Sequence, residues 1–308
     1  MEANILNPII ELRNTSKTFN HRIAVNDVSF QIEPGSVTAI LGPNGAGKTT
    51  TLSMMLGLLE PSQGTVKLFG RSPKERSVRE RIGVMLQHVS IMDRLKVREI
   101  LELTRNYYPN PMDMEFLIHL TGLTPSDLNR YTEKLSGGQK RSLGFAMALA
   151  GDPEVLFFDE PTVGLDTMAR RRFWETVHKL AKQGKTILFT THYLQEADDT
   201  ANRIILFNQG SIVADGSPGE IKSRIIHSSL SFLSDEDGPE LRAKLSLLPP
   251  VTNCYNRDGR IYVSTDNTDA ALAAIFAAGL PVRDIKIHSG SLDEVFEQLT
   301  MTQEETAI

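Results

Sequence analysis

The apolar positions of the chain alternate between short continuous runs and longer stretches with helical spacing. Three runs, SVTAIL (36–41), VLFFDE (155–160) and KTILFTT (185–191), predict buried strands. Residues 167–182 predict a helix between the last two. Because buried parallel strands that alternate with helices need cover on both faces, the pattern predicts an α/β domain with a mostly parallel sheet.

The residues on either side of these runs extend the prediction. Strand patterns also occur in IIELRN, VSFQI, GTVKLFG and RIGVMLQ, and in the apolar stretch RIILFNQGSIVADG near the end of the domain. The region from about 88 to 151 differs, because LKVREILELTRNYY and MDMEFLIHLTGL have helical spacing and no strand pattern interrupts them. We therefore expect a helical subdomain inserted into the α/β core.

The composition changes after Gly216, which predicts a second domain. We place the boundary at residue 220, giving a first domain over 1–220 and a small domain over 221–308. The order of elements in the second is β-α-β-β-α-β followed by a helix, SLDEVFEQLT, which is typical of a ferredoxin-like α+β domain. No catalytic set of residues appears in it. A packed domain without chemistry and a regulatory or dimerisation domain both remain open.

Composition and charge limit the classes of function. The chain has 308 residues, a net charge of −5 and a sequence pI of about 5.9, which argues against a nucleic-acid-binding protein. Its single cysteine, Cys254, cannot form an intrachain disulfide. The longest apolar run is far shorter than the roughly 20 residues of a membrane-spanning helix, and the N-terminus lacks a signal-peptide pattern. We expect a cytosolic chain that can reach a membrane through a partner.

The segment GPNGAGKT follows a predicted strand and opens a predicted helix, the context of a phosphate-binding loop (P-loop). Its glycines allow backbone N–H groups to face phosphates, the lysine adds positive charge, and the helix dipole favours an anion. A chance glycine-rich loop is the alternative. The predicted nucleotide-binding residues are Gly42, Pro43, Asn44, Gly45, Ala46, Gly47, Lys48, Thr49 and Thr50.

Polar residues at the ends of the other predicted strands complete a catalytic site. Asp159 and Glu160 end VLFFDE; we expect Asp159 and the Thr49 hydroxyl to bind Mg²⁺, and Glu160 to orient or deprotonate an attacking water. Gln87 and His192 also follow strands, where parallel sheets bind ligands. His192 is positioned to contact a terminal phosphate, and Gln87 the metal or the water. Incidental polar residues at strand ends are the alternative.

The segment KLSGGQKR has the features of a second anion site. Ser136 can cap a helix that starts near Gln139, and Gly137 and Gly138 expose N–H groups. With GPNGAGKTT, VLFFDEPTVGLD and TTHYLQEAD in the same order and spacing, residues 9–220 resemble the ATP-binding subunit of an ABC transporter.

The resemblance implies ATP and Mg²⁺ as ligands and assigns further roles. It implies that Phe19 stacks on adenine, that Gln87 links the site to a membrane partner, and that Asp166 lies at a dimer seam. A core position is the alternative for Phe19. It also implies a head-to-tail dimer with a second copy, in which Ser136, Gly137, Gly138 and Gln139 contact the ATP held by the other chain.

The segments TTHYLQEAD and SLDEVFEQLT are similar to those of a subfamily that includes bacterial drug, antibiotic, lipid and polysaccharide exporters and the A-type eukaryotic transporters. This likeness implies a separate transmembrane permease, with this chain at the cytoplasmic face of the membrane. Val89, Ile91 and Met92 are candidates for the permease-docking surface, or for core positions. Two alternatives are a soluble ABC-type ATPase without a membrane partner and a GTP-binding switch, for which the chain lacks an N-K-x-D motif.

Overall fold

The computed structural model describes residues 7–87, 91–225, 228–234, 239–257, 259–265 and 267–288. The chain divides into two compact units, Met1–Ser217 and Pro218–Ile308, close to the predicted boundary at residue 220. The helix expected over 291–300 and Val89 of the expected docking surface lie outside the described residues.

The first unit contains two sheets and eight described helices. Its strands are β1 (Ile10–Phe19), β2 (Arg22–Ile32), β3 (Val37–Leu41), β4 (Gln63–Leu68), β5 (Ile82–Met85), β6 (Val155–Asp159), β7 (Thr186–Thr190), β8 (Arg203–Asn208) and β9 (Ser211–Gly216). Its helices are α1 (Lys48–Met55), α2 (Arg76–Arg79), α3 (Val97–Arg105), α4 (Met114–Thr121), α5 (Pro125–Leu128), α6 (Gly137–Leu149), α7 (Thr167–Lys182) and α8 (Leu194–Thr200).

The larger sheet has the order β5-β6-β7-β3-β8-β9 and is parallel except for β9. Every residue of β3, β6 and β7 is buried, as expected for strands covered on both faces. The α/β fold with a mostly parallel sheet is therefore confirmed. Parallel strands end at one edge of the sheet, so the residues that follow β3, β5, β6 and β7 lie on the same side of the domain.

Two strand arrangements differ from a simple α/β pattern. β1, β2 and β4 form a separate antiparallel sheet of order β2-β1-β4. The stretch RIILFNQGSIVADG is a hairpin rather than one strand, because Gln209 and Gly210 take φ of 46° and 83° and form a two-residue turn between β8 and β9. Two consecutive positive φ angles are typical of the type I′ turn.

The helix after the P-loop, α1, ends before the end of the segment KTTTLSMMLGLL that follows the loop. It ends at Met55 because Gly57 takes a φ of 67°. The Gly57 amide donates to the Met54 carbonyl at 3.1 Å and the Leu58 amide donates to the Ser53 carbonyl at 3.0 Å. A left-handed glycine with such backbone bonds ends a helix.

An aromatic cluster holds α6 and α7 against β6 and β7. Phe145 of α6 packs on Phe158 of β6 and Phe173 of α7, with ring centroids 5.6 and 4.7 Å away. Trp174 continues the cluster to Phe189 of β7 at 4.8 Å. Such tilted and edge-to-face pairs add to the free energy of burial. The cluster thereby fixes the helix that follows LSGGQ relative to the strand that carries Asp159.

The second unit forms a four-stranded antiparallel sheet with helices. It contains α9 (Pro218–Ile225), β10 (Ser228–Leu233), α10 (Pro239–Ser246), β11 (Val251–Arg257), β12 (Arg260–Thr265), α11 (Thr268–Ala277) and β13 (Arg283–His288). The strand order β11-β12-β10-β13 is that of a ferredoxin-like sandwich. Its core packs Leu241, Leu245 and Ile275 from the helices against Phe232 and Val263 from the strands.

Candidate nucleotide-binding site

The loop from Gly42 to Gly47 connects β3 to α1 with a backbone that only glycine accepts at two positions. Gly42 and Gly47 take φ of 149° and 104°. A Cβ atom on Gly42 would lie 2.4 Å from the Phe207 carbonyl oxygen, and one on Gly47 would lie 2.6 Å from that of Ala24. The loop therefore passes so close to neighbouring backbone that no side chain fits at these two positions.

Not all residues of the predicted P-loop are exposed to a ligand. Asn44, Gly45 and Thr49 are exposed, whereas the side chain of Ala46 is buried in the hydrophobic core. The Ala46 amide donates to the Pro43 carbonyl at 3.1 Å, which closes the loop upon itself. Thr50 is half-buried. We infer that Ala46 shapes the loop and that its neighbours form the exposed surface.

Lys48 is buried at the mouth of the loop, with 7% of its surface exposed. Its ammonium donates to the Gly42 carbonyl at 2.6 Å and to the Pro43 carbonyl at 3.0 Å. Burial lowers the pKa of Lys48, against the opposing charges of Glu160 and Asp159. A desolvated cation held by carbonyls has a strong preference for an anionic partner. Phosphate is therefore the ligand chemistry that this loop favours.

Two carboxylates follow one another at the end of β6. Asp159 is buried and accepts a hydrogen bond from the Thr190 hydroxyl at 2.5 Å. Burial raises the pKa of Asp159, and the Glu160 charge adds to the rise, against the Thr190 hydrogen bond, Lys48 and Arg141. Glu160 takes a φ of 47°, and its amide donates to the Thr190 hydroxyl oxygen at 3.0 Å.

The Glu160 carboxylate joins three strand ends. The Gln87 side-chain amide, after β5, donates to Glu160 Oε2 at 3.0 Å. His192, after β7, has Nδ1 3.4 Å from Glu160 Oε1. The strand order β5-β6-β7 therefore brings together the three residues for which catalytic roles were expected. A carboxylate held from both sides is oriented for proton transfer.

The side chains expected to bind Mg²⁺ supply oxygen ligands. Thr49 carries a hydroxyl, Gln87 an amide carbonyl and Asp159 a carboxylate, and oxygen donors are those that Mg²⁺ prefers. The described residues contain no group of three or more His, Cys, Asp or Glu arranged to hold a metal. One carboxylate with a hydroxyl and an amide oxygen fits Mg²⁺, which is usually bound by one or two carboxylates together with substrate phosphates.

The LSGGQ segment forms a capping box at the start of α6, which begins at Gly137, two residues before Gln139, with Ser136 as its cap. The Gln139 amide donates to Ser136 Oγ at 3.2 Å, and the Ser136 amide donates to Gln139 Oε1 at 3.0 Å. Gln139 also donates to Asp127 Oδ1 at 2.8 Å, within the helical insert. Ser136 and Gly137 are exposed, and a Cβ on Gly137 would contact nothing. The helix thus presents an open N-terminus to its surroundings.

Two further predicted residues lie on the surface. Asp166 caps α7 by accepting from the Ala169 amide at 2.8 Å, and is exposed. Phe19 ends β1 with 45% of its surface exposed, and the Lys17 ammonium lies 5.2 Å from its ring centroid. This exposure argues against a core role for Phe19 and leaves the ring accessible to a planar ligand.

The sequence interpretation did not identify Arg141 as part of this site. Arg141 lies two residues after Gln139 on α6, and burial lowers its pKa against the charges of Glu160 and Asp159. Its Nη1 is buried without a hydrogen-bond partner among the described residues. The signal was present as the arginine of KLSGGQKR, but its direction towards β6 depends on how α6 packs.

Comparisons with known proteins agree with this geometry. The sequence profile of the ABC transporter family matches residues 25–163. The chain is 37% identical to the Nod factor export ATP-binding protein I of Burkholderia orbicola (strain AU 1054), covering 94% of this chain and 96% of that protein. It is 33% identical to the daunorubicin resistance ATP-binding protein DrrA3 of Streptomyces coeruleorubidus, over 94% of this chain and 95% of that protein.

Among solved structures, the chain is similar to a dimeric ATP-binding cassette bound to ADP and phosphate in a post-hydrolysis state. The identity is 26%, the TM-score is 0.63, and the match covers 68% of this chain and 98% of the cassette. The shared region is thus a whole cassette, whereas the two curated relatives match over nearly the full chain. Together with the P-loop and the strand-end carboxylates, these likenesses establish that the chain belongs to the ABC transporter family, as one of its ATP-binding, ATP-hydrolysing subunits.

Proposed function

We propose that this chain hydrolyses ATP with Glu160 as the general base, in a site that a second copy completes, and so drives a separate export permease. The observation that supports the catalytic assignment most directly is the Glu160 carboxylate, bound by Gln87 at 3.0 Å and approached by His192 at 3.4 Å. The Lys48 ammonium lies near both carboxylates, since the charges of Glu160 and Asp159 act to raise its pKa while burial lowers it.

The proposed reaction requires little covalent chemistry from the protein. Lys48 and the loop N–H groups bind the phosphates, and Glu160 accepts a proton from the water that attacks the terminal phosphate. His192 orients the Glu160 carboxylate and contacts the terminal phosphate. Thr49, Asp159 and Gln87 would hold Mg²⁺, which supplies charge neutralisation to the phosphates when it is bound. Phe19 stacks on the adenine ring.

The exposed N-terminus of α6 supports a shared site. Ser136, Gly137, Gly138 and Gln139 would bind the terminal phosphate of the ATP held in the P-loop of the other chain, with Asp166 at the seam. Helix N-termini favour anions through their free N–H groups and dipole. The capping box already satisfies two polar groups of this end within one chain, so the site needs no rearrangement of the helix before a second copy approaches.

A mixed dimer tests the shared site. Ser136→Asp keeps a good helix cap but sets a negative charge against phosphate, whereas Lys48→Met removes the P-loop cation. If sites are shared between chains, a dimer of one Ser136→Asp chain and one Lys48→Met chain has both defects in one site and leaves the other intact. We expect ATP hydrolysis in the isolated mixed dimer and none in either homodimer. No recovery in the mixed dimer would contradict the head-to-tail arrangement.

Transport needs a membrane pathway, and among the described residues no helix could cross a bilayer. The export named in two curated relatives supports a separate permease that holds this chain at the cytoplasmic face of the membrane. Exposed apolar residues after β5 support a docking surface: Met92 is 62% exposed, Leu86 is 40% exposed, and Ile91 is half-buried. The names of the two curated relatives, one from Nod factor export and one from daunorubicin resistance, support export as the direction of transport.

Co-purification with the permease tests the docking surface. Ile91→Ser together with Met92→Gln should weaken the complex, because both side chains would be desolvated against an apolar partner. Leu58→Gln is the matched control, since Leu58 is also exposed in the same unit but lies after α1. Equal recovery of permease with the wild type, the Ile91→Ser and Met92→Gln double variant, and Leu58→Gln would mean that docking lies elsewhere.

A further inference from the structure

A buried carboxylate lies behind the proposed site. Glu196, in the first turn of α8, has only 7% of its surface exposed. Its Oε1 accepts from the Thr162 hydroxyl at 2.6 Å, and its Oε2 accepts from the Thr191 hydroxyl at 2.9 Å. The Arg170 Nε lies 3.5 Å from Oε1. Both carboxylate oxygens are thus used within the protein, so Glu196 has no part in binding nucleotide directly.

Each partner of Glu196 belongs to a different segment of the proposed site. Thr162 follows Glu160 by two residues, in the loop after β6. Thr191 immediately precedes His192, after β7. One carboxylate therefore ties the segment of the general base to the segment of the histidine. Because Thr162 and Thr191 are themselves buried, these bonds are shielded from water and hold the two segments in one geometry.

Arg170 adds the dimer-seam segment to this group. It lies in the first turn of α7, and its amide donates to the carbonyl of Asp166 at 2.9 Å. Its guanidinium carbon is 4.5 Å from the ring centroid of Tyr193, and the Tyr193 ring lies 4.2 Å from that of His192. The His192 ring is thus in contact with an aromatic side chain, Tyr193, that Arg170 also contacts.

A buried carboxylate is expensive unless its partners are complete. Removing one hydrogen-bond partner from such a group typically costs about 1–3 kcal/mol, and apolar residues of similar volume can be as stable as a buried ion pair. Stability alone is therefore a weak explanation for a buried carboxylate at position 196. Its contacts to three segments that carry proposed site residues give it a specific use.

We propose that Glu196 is a positioning residue, which couples the Asp166 segment and the Glu160 segment to His192 through Arg170, Thr162 and Thr191. This inference rests on the proposed function of Glu160 and His192. Its consequence is that the hydroxyl bonds to Glu196 affect turnover and leave ATP affinity nearly unchanged, because no group of this network belongs to the P-loop. A misplaced catalytic group lowers the rate even when substrate binding is intact.

Isosteric pairs at the two threonines provide the test. Thr162→Val and Thr191→Val keep shape but remove the hydroxyl donors, whereas Thr162→Ser and Thr191→Ser retain them. We expect each valine variant to lower kcat about tenfold or more with KM for ATP within about twofold, and each serine variant to retain kcat. Thermal unfolding of each variant identifies the assay temperature at which it is fully folded.

The double variant distinguishes coupling from two independent effects. If both hydroxyls act through Glu196, Thr162→Val combined with Thr191→Val should have the kcat of the slower single variant. Glu175→Gln is the control, since it removes an exposed ion pair with Arg171 on α7 and should not change kcat.

Several results would overturn the inference: wild-type kcat in the valine variants, fold-changes that multiply in the double variant, or a raised KM at unchanged kcat. Glu160→Gln separates this failure from failure of the proposed function. If Glu160→Gln retains turnover, the catalytic assignment itself is wrong. If Glu160→Gln is inactive while the valine variants keep full kcat, only the positioning role of Glu196 is wrong.

Discussion

Replacing Glu160 with glutamine is the most direct test of the catalytic assignment, because the structure predicts almost no change in folding. In the protein, Gln87 donates to Glu160 Oε2 at 3.0 Å and His192 Nδ1 lies 3.4 Å from Oε1. A glutamine can direct its carbonyl oxygen to Gln87 and its amide to an unprotonated His192 nitrogen. The hydrogen bond that the Glu160 backbone amide donates to the Thr190 hydroxyl oxygen at 3.0 Å remains unchanged.

The expected loss is therefore chemical and can be estimated. The glutamine variant keeps the volume and both contacts but cannot accept a proton from water. Loss of a general base lowers a rate by about 10²–10⁴-fold, or about 3–5 kcal/mol of activation free energy. We expect the free energy of unfolding to change by less than about 0.5 kcal/mol, and ATP affinity to stay within about twofold. The bound ATP should persist and hold the dimer together.

Three measurements check these expectations. Phosphate release gives kcat, equilibrium titration gives ATP affinity, and size-exclusion chromatography with ATP gives the oligomeric state. Glu154→Gln is the matched control, because Glu154 precedes the opposite end of β6 and pairs with Arg81 at the surface. Near wild-type turnover in Glu160→Gln, or an equal loss in Glu154→Gln, would refute the reasoning.

Three further predictions concern a buried carboxylate, a glycine contact and the exposed Phe19 ring of the first unit. Asp159→Asn should abolish hydrolysis yet raise the free energy of unfolding at pH 7 by about 0.5–2 kcal/mol, because burial raises the pKa of this carboxyl and disfavours its charged form in the folded chain. The gain should vanish below about pH 4, where the aspartate is protonated in both states; denaturant titrations over pH check both statements. Gly83→Ala should lower the free energy of unfolding by about 1–3 kcal/mol, since its Cβ would lie 2.0 Å from the Ala148 carbonyl oxygen; unchanged denaturation would contradict this packing. Phe19→Ala should weaken ATP binding by about 1–3 kcal/mol and Phe19→Tyr should not, as measured by titration, and equal affinities would exclude stacking.

Much of the local structure was predictable because it depends on neighbours in sequence. The helix over 167–182 was predicted with the bounds that α7 has, since its apolar spacing and its Asp166 cap are both local signals. The P-loop was equally clear, because its glycines, lysine and following helix are contiguous. By contrast, the stretch that contains β8 and β9 was not divided into a hairpin, although Asn208, Gln209, Gly210 and Ser211 interrupt its apolar positions and form a turn signal.

By itself, the sequence determined which segments are buried strands, and it predicted which loop accepts phosphate and which polar residues at strand ends carry chemistry. Only the tertiary structure decided which of these residues meet. Gln87, Glu160 and His192 are separated along the chain and converge because β5, β6 and β7 are adjacent in the sheet. Arg141 and Glu196 depend similarly on helix packing behind that edge. Apolar periodicity reports whether a position is buried, whereas strand order and helix docking arise from long-range contacts that periodicity does not encode.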